Sequence, residues 1–263
     1  MILQFLDYKG GSIQYDVSGS GNAVVFLHGF LETLDVWDDY TAFLSKHFRV
    51  VRINLPGHGE SSCYGYCHSM EFMAETLRAV LSALKIRRFH LVGHSMGGYV
   101  AIALAEKYPD MIRGLCMFHS TSNADSAQKK KERNKVIALV QKNKNVFVRQ
   151  AIPNLFNTSY KPYKSAIKKI SSKALKISVQ GIIASLEGMK IREDRQIVLK
   201  FAPYPVLFIM GRHDNVLPVK KLISEVECSE YAQSIILEHA GHMGFIEDSE
   251  VCLNAIRSFL RKS

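Results

Sequence analysis

No apolar run in the sequence approaches the roughly 18 residues that a membrane-spanning helix needs. The opening residues, MILQFLDYKGGSIQYD, also lack the basic, apolar and small-residue segments of a secretion signal. Cysteine is sparse, with five residues at 63, 67, 116, 228 and 252 and no Cys-x-x-Cys pair. That pattern predicts reduced thiols in a cytoplasmic protein rather than a disulfide framework. Internal repeats and low-complexity tracts are absent, and 17 Gly and 7 Pro in 263 residues exclude collagen-like and disordered classes. Acidic charge is in deficit: 24 Asp and Glu face 34 Lys and Arg, a formal net charge of +10.

The excess is local. Residues 121–200 hold 18 basic and 5 acidic residues, a net of +13, and the remaining residues hold 16 and 19, a net of −3. Asymmetry of this kind marks a separate structural unit. The flanks carry short runs rich in Val, Ile and Leu: Ala23–Leu27, Arg49–Ile53, Phe89–Val92, Ile112–Phe118, Val206–Met210 and Ser234–Leu237. Continuous runs of this type suit strands buried on both faces of a parallel sheet. Residues 2–8 and 12–17, around Lys9-Gly10-Gly11, predict a hairpin. Helical spacing appears over 35–46, 69–84, 96–107, 218–226 and 247–261, with Met70, Met73, Leu77, Val80, Leu81 and Leu84 on one face. Alternating strands and helices predict a doubly wound α/β sheet. Residues 121–200 contain no convincing strand and read as helices over 126–142, 146–155, 164–175 and 177–189. They form an all-helical insertion above the carboxyl edge of the sheet, where such folds place their ligands.

Chemistry concentrates in Gly93-His94-Ser95-Met96-Gly97, which follows a buried strand and precedes a helix rich in small residues. A serine at such a turn projects its hydroxyl clear of the sheet, and glycine two positions either side avoids a clash with neighbouring backbone. A hydroxyl becomes a nucleophile only when a base takes its proton. His242, in Ala240-Gly241-His242, follows the last strand, and Asp214, in Gly211-Arg212-His213-Asp214, follows the one before it. Asp125 is the alternative acid, but it lies seven residues past its strand. Acyl transfer also requires N–H donors for the developing oxyanion. Met96 follows the nucleophile, and Phe30 sits in the Leu27-His28-Gly29-Phe30 loop, where His28 is placed to prop the backbone. His58, Cys63, Cys67 and His68 fit no standard zinc spacing.

With LHGF at 27–30, NLPGHGES at 54–61, GHSMGG at 93–98, GRHD at 211–214 and AGHMGFIE at 240–247, the chain resembles the α/β-hydrolase superfamily, specifically its small serine esterases with a helical cap. The resemblance implies a mostly parallel eight-stranded sheet formed by residues 1–120 and 201–263, with residues 121–200 as a cap inserted after the sixth strand. It also implies a Ser95–Asp214–His242 triad that cleaves a small-molecule ester or thioester without metal or organic cofactor. Asn54 stands where many relatives carry Asp. Dehalogenases and epoxide hydrolases of the superfamily use Asp where Ser95 stands. Perhydrolases, carbon–carbon hydrolases, a menaquinone-pathway synthase with an anionic substrate, and hormone receptors share the triad and remain open.

In the insertion, Phe147, Phe156 and Ile183 are candidate substrate contacts, together with His28 in the core. Lys129-Lys130-Lys131-Glu132-Arg133 reads as a solvated helix face, with no nucleic-acid-binding motif. A cap rich in Lys and Arg is suited to attract an anionic substrate, with Arg133, Arg149, Arg192 and Arg195 the residues to test.

Overall fold

Eight strands form one sheet in the computed structural model, which describes residues 3–262. They are β1 (Gln4–Tyr8), β2 (Gly11–Ser18), β3 (Ala23–Leu27), β4 (Arg49–Ile53), β5 (Phe89–His94), β6 (Ile112–Phe118), β7 (Val206–Gly211) and β8 (Ala232–Leu237), in spatial order β1-β2-β4-β3-β5-β6-β7-β8. β1–β2 and β2–β4 pair antiparallel, and every other neighbouring pair is parallel. β3, β5 and β7 are buried at every position, as their unbroken apolar runs require. The edge strand β1 instead alternates half-buried and exposed residues.

Helices flank the sheet: α1 (Asp38–Leu44), α2 (Met70–Ala83), α3 (Met96–Lys107), α8 (Val219–Glu227), α9 (Gly244–Glu247) and α10 (Ser249–Lys262). Ser69 caps α2 by accepting the Phe72 N–H, and Met70, Met73, Leu77, Val80 and Leu81 are fully buried. α3 is buried almost all round, and its small residues bring it close to the sheet. Trp37 packs against Phe26 and Phe245 with ring centroids 4.9 and 5.0 Å apart, a core role.

Between β6 and β7 the described chain forms only helices: α4 (Ala127–Ala151), α5 (Lys164–Ala174), α6 (Val179–Ile191) and α7 (Gln196–Lys200), with a short 3-10 turn at Pro153–Leu155. The two helices predicted over 126–142 and 146–155 are the halves of α4, interrupted where Asn143 leaves helical geometry (φ −157°, ψ 84°). The second half stops at Ala151 because Pro153 has no N–H to carry the hydrogen-bond ladder further. α7 escaped the sequence reading, since five residues are too few to display a period. The predicted strand start at Ile2, and the termini Met1 and Ser263 of the predicted core, lie outside the described residues.

The strand order reverses between β3 and β5, because the chain leaves β3 for β4 on one side and returns to β5 on the other. The loops following β3 and β5 therefore meet at the carboxyl edge, in the crevice where α/β sheets bind ligands.

Candidate active site

β5 runs through Gly93 and His94, so Ser95 is the first residue past the sheet and the N-cap of α3. Its backbone is left-handed, φ 49° and ψ −113°, a conformation that costs free energy in a non-glycine residue. The neighbouring glycines are sterically obligatory. A Cβ on Gly97 would lie 2.6 Å from the Leu27 carbonyl oxygen, and one on Gly93 would lie 2.5 Å from that of Gly97. α3 is thus pressed onto the loop after β3, and the strained turn leaves the Ser95 hydroxyl facing the crevice.

Ser95 Oγ lies 2.9 Å from His242 Nε2, and His242 Nδ1 lies 2.7 Å from Asp214 Oδ2. His242 and Asp214 are 2% and 5% exposed. The Val216 and Leu217 N–H groups donate to Asp214 Oδ1 at 2.8 and 2.9 Å. Burial raises the Asp214 carboxyl pKa, but the charge of His242 and hydrogen bonds from His119 and His242 outweigh it and hold the group far below the carboxylate range. Asp214 is therefore ionised, and it fixes the His242 tautomer that leaves Nε2 free to accept a proton.

Two further histidines belong to this network. His119, the first residue past β6, has φ 46° and brings Nδ1 to 3.1 Å from the Asp214 oxygen that also binds His242. Burial drives its pKa down to about 4 against the opposing pull of Asp214, so His119 is neutral and its Nδ1–H donates. His94 lies 3.0 Å from Glu32 through Nδ1 and 2.9 Å from the His242 carbonyl oxygen through Nε2. Burial lowers the His94 pKa, yet Glu32 more than offsets this and leaves it raised. Acceptors at both ring nitrogens demand an imidazolium. Glu32 in turn accepts the Gly29 N–H at 2.6 Å. One buried ion pair thereby ties the loop after β3 to the His242 loop. The His94-in-motif position gave no hint of this role, and Glu32 showed only as a carboxylate in an apolar run.

Of the two candidate oxyanion donors, Phe30 lines the cavity above Ser95, and Met96 opens the first turn of α3. Among the described residues neither N–H has a protein acceptor. First-turn N–H groups have no partner within their own helix, and they favour negative charge.

The cavity over Ser95 measures about 570 Å³. Phe30, Val216 and Leu217 from the core and Phe147, Leu155 and Met189 from the helical segment form its apolar wall. Of the four candidate substrate contacts only Phe147 lines it. His28 is completely buried below, with Nδ1 2.8 Å from the Gly29 carbonyl oxygen and Nε2 accepting the Leu55 N–H at 3.0 Å. Phe156 packs on Tyr163, and Ile183 faces elsewhere on α6. Of the four cap arginines, Arg133 and Arg192 line the cavity, Arg149 is solvent-exposed, and Arg195 is engaged by Glu106 and Glu71. Asp125, the alternative acid, is bound by Arg133 and Arg192.

Among the described residues, the one cluster of three convergent His, Cys, Asp or Glu groups is His119, Asp214 and His242. The nitrogens that face Asp214 are occupied by protons in hydrogen bonds, so this donor set suits proton handling rather than a cation. His58, Cys63, Cys67 and His68 do not converge; Cys67 is exposed, and His68 Nε2 accepts the Tyr64 N–H at 2.9 Å. Among the described residues no helix is long and apolar enough to cross a membrane.

Comparison with known proteins agrees with this architecture. The family model for the alpha/beta hydrolase fold matches residues 22–249, and the chain belongs to that family. It is therefore an enzyme of the α/β-hydrolase class. A thermophilic esterase from Thermogutta terrifontis, with malate bound, superposes with a TM-score of 0.93 at 29% identity, covering 100% of this chain and 99% of that one. The pimeloyl-[acyl-carrier protein] methyl ester esterase of Wigglesworthia glossinidia brevipalpis is 24% identical over 258 residues, 94% of this chain and 96% of that protein. The dihydrolipoyllysine-residue acetyltransferase component of the acetoin cleaving system of Pseudomonas putida is 28% identical over 256 residues, and the chain spans 66% of that protein's length.

Proposed function

We propose that the protein is a serine hydrolase that cleaves small-molecule carboxylic esters or thioesters through an acyl-enzyme on Ser95. The observation that carries this reading is the continuous relay Ser95 Oγ–His242 Nε2–His242 Nδ1–Asp214, at 2.9 and 2.7 Å, on a strained strand-to-helix turn. Ser95 Oγ attacks the carbonyl carbon as His242 Nε2 takes its proton, and Asp214 steadies the imidazolium. The oxyanion forms against the Phe30 and Met96 N–H groups, each donor of this kind being worth about 2.7–4 kcal/mol. His242 then protonates the departing alkoxide or thiolate, and a water deprotonated by His242 attacks the acyl-enzyme and releases the acid.

Residues 121–200 act as the cap in this reading, since the cavity above Ser95 is roofed by α4 and α6 and floored by the core. Its apolar wall suits an alkyl or acyl chain. The test is turnover of short p-nitrophenyl esters, with fluorophosphonate labelling of the intact protein. The expected result is labelling at Ser95 and loss of both signals in Ser95→Ala. A protein that neither labels nor turns over any ester or thioester, yet binds a small ligand tightly, is a receptor instead.

A further inference from the structure

The cavity holds more positive charge than its own acids neutralise. Lys129 pairs with Glu132 at 3.5 Å and Glu32 with His94, which leaves Asp125 as the carboxylate against Arg133, Arg192 and Lys221 in the lining. Arg133 engages Asp125 through Nε and Nη2, and its Nη1 meets only the Met189 sulfur, at 3.4 Å. Arg192 gives Nη1 to Asp125 Oδ1 at 2.6 Å and to the Met189 carbonyl at 2.9 Å, and Nε to the Asn123 carbonyl at 3.1 Å. Its Nη2 has no acceptor among the described residues, although the arginine is only 7% exposed and lines the cavity.

A guanidinium presents five N–H donors in a planar fork. Structural ties to Asn123, Asp125 and Met189 occupy Nε and both hydrogens of Nη1, and leave the two N–H groups of Nη2 open. The guanidinium also lies over the Tyr99 ring, 4.1 Å from its centroid. Tyr99 is one helical turn along α3 from Ser95, whose carbonyl accepts the Tyr99 N–H. Arg192, Tyr99 and Ser95 line the same cavity. Burying two guanidinium groups on one carboxylate leaves a net charge that the fold must desolvate without compensation. An anionic ligand group supplies it, accepting a charge-assisted hydrogen bond from Arg192 Nη2.

We propose that Arg192, supported by Arg133, is an anion-recognition subsite, and that the favoured substrates are esters bearing a carboxylate on the acyl or the alcohol side. The loop that carries Asn123 and Asp125 is itself anchored. Glu225 on α8 accepts the Ser122 N–H and hydroxyl at 2.6 Å each and the Asn123 side-chain amide at 2.7 Å. The cluster is thus set in a fixed frame.

This inference rests on the reading of Ser95 as the nucleophile, and its test separates the two. The kcat/KM of monoethyl adipate is compared with that of ethyl hexanoate, and that of 4-acetoxybutanoate with that of butyl acetate. In at least one pair the wild type is expected to favour the anionic ester at least tenfold. Arg192→Met is expected to lower that ratio tenfold, and Arg192→Lys to lower it less. Adipate is expected to raise the Tm of Ser95→Ala but not of Ser95→Ala/Arg192→Met, a readout independent of turnover. Should Arg192→Met fail to fold, competitive inhibition of the wild type decides: adipate is expected to inhibit at least tenfold more strongly than adipamide. Equal ratios in both pairs, with adipate no better than adipamide, overturn the anion subsite and leave the esterase standing. Adipate binding at Arg192 without turnover of any ester overturns the esterase and leaves the subsite.

Discussion

His119 donates to the same Asp214 oxygen that orients His242, so one carboxylate carries two imidazoles at 3.1 and 2.7 Å. A second donor on that oxygen draws off part of its negative charge and makes it a weaker partner for the imidazolium. His119→Ala is expected to move the acidic limb of the kcat/KM–pH profile upward, because a less encumbered Asp214 holds the His242 proton more firmly. It is also expected to cost about 1.5–3 kcal/mol of stability, the range for a hydrogen bond to a charged group. His119→Asn is expected to restore both, since the amide Nδ2 takes the place of Nδ1 and Asn tolerates the left-handed backbone at this position. An unshifted profile in His119→Ala sinks the idea.

Glu32→Gln keeps an acceptor for the Gly29 N–H but removes the charge that protonates His94. The His94 ring then keeps a single N–H, and the charged link between the loops bearing Phe30 and His242 is reduced to neutral hydrogen bonds. The expected effect is about 1.5–3 kcal/mol in stability together with a fall in kcat, read by urea denaturation and steady-state kinetics. An unchanged midpoint contradicts it.

The helical segment sits on the core through glycines that admit no side chain. A Cβ on Gly188 would lie 1.7 Å from the His68 carbonyl oxygen, and one on Gly181 would lie 2.5 Å from that of Gly57. Gly188→Ala must push α6 outward and take Met189 and Arg192 with it. The prediction is a KM raised severalfold and a loss on the order of 1–3 kcal/mol, the usual cost of overpacking. Parallel Tm and KM measurements check it; a normal KM with lowered Tm shows that α6 does not set the cavity wall.

Acid lability is predicted to begin well above the carboxylate range. His119 and His68 titrate at about 4 in the folded protein, against an ordinary value of 6.5, in both cases because burial disfavours the charged ring. The unfolded chain therefore takes up protons first. Their contribution is complete above about pH 6.5 and shrinks as pH falls toward 4, by up to about 1.4 kcal/mol per pH unit for each ring. Since about 1 kcal/mol corresponds to roughly 2–4 °C in a protein of this size, a flat Tm between pH 7 and pH 5 would falsify this account. His94 runs the other way: its raised value means stability present below 6.5 and lost as pH climbs through the folded pKa.

Strand positions were legible because β3, β4 and β6 begin and end where their apolar runs do, with burial on both faces leaving no ambiguity of period. The proposed triad residues were legible for a different reason: Ser95, Asp214 and His242 fall one, three and five residues past the ends of β5, β7 and β8, and chain order delivers them to one edge. What the sequence hid was lateral. Nothing in the spacing of Glu32 and His94, 62 residues apart, announces an ion pair, and nothing marks Asp125 as the partner of an arginine 67 residues on. The apolar candidates Phe156 and Ile183 do not line the cavity, because helical periodicity cannot say which apolar face meets the core and which meets the insertion. The net +13 of residues 121–200 proved too coarse a measure: of the four arginines named there, two line the cavity, and Arg195 is spent on Glu71 and Glu106.

The order of residues along the chain has a temporal meaning. Ser95 emerges early during synthesis, but Asp214 and His242 follow the entire insertion, and β6 finds its neighbour β7 only when Leu115 can pair with Val206. Contacts of such long range form late. On the proposed mechanism a growing polypeptide that ends before His242 displays the Ser95 hydroxyl without its base. On that mechanism such a polypeptide stays chemically silent on the ribosome, and the first turnover waits for the loop after β8 to deliver His242.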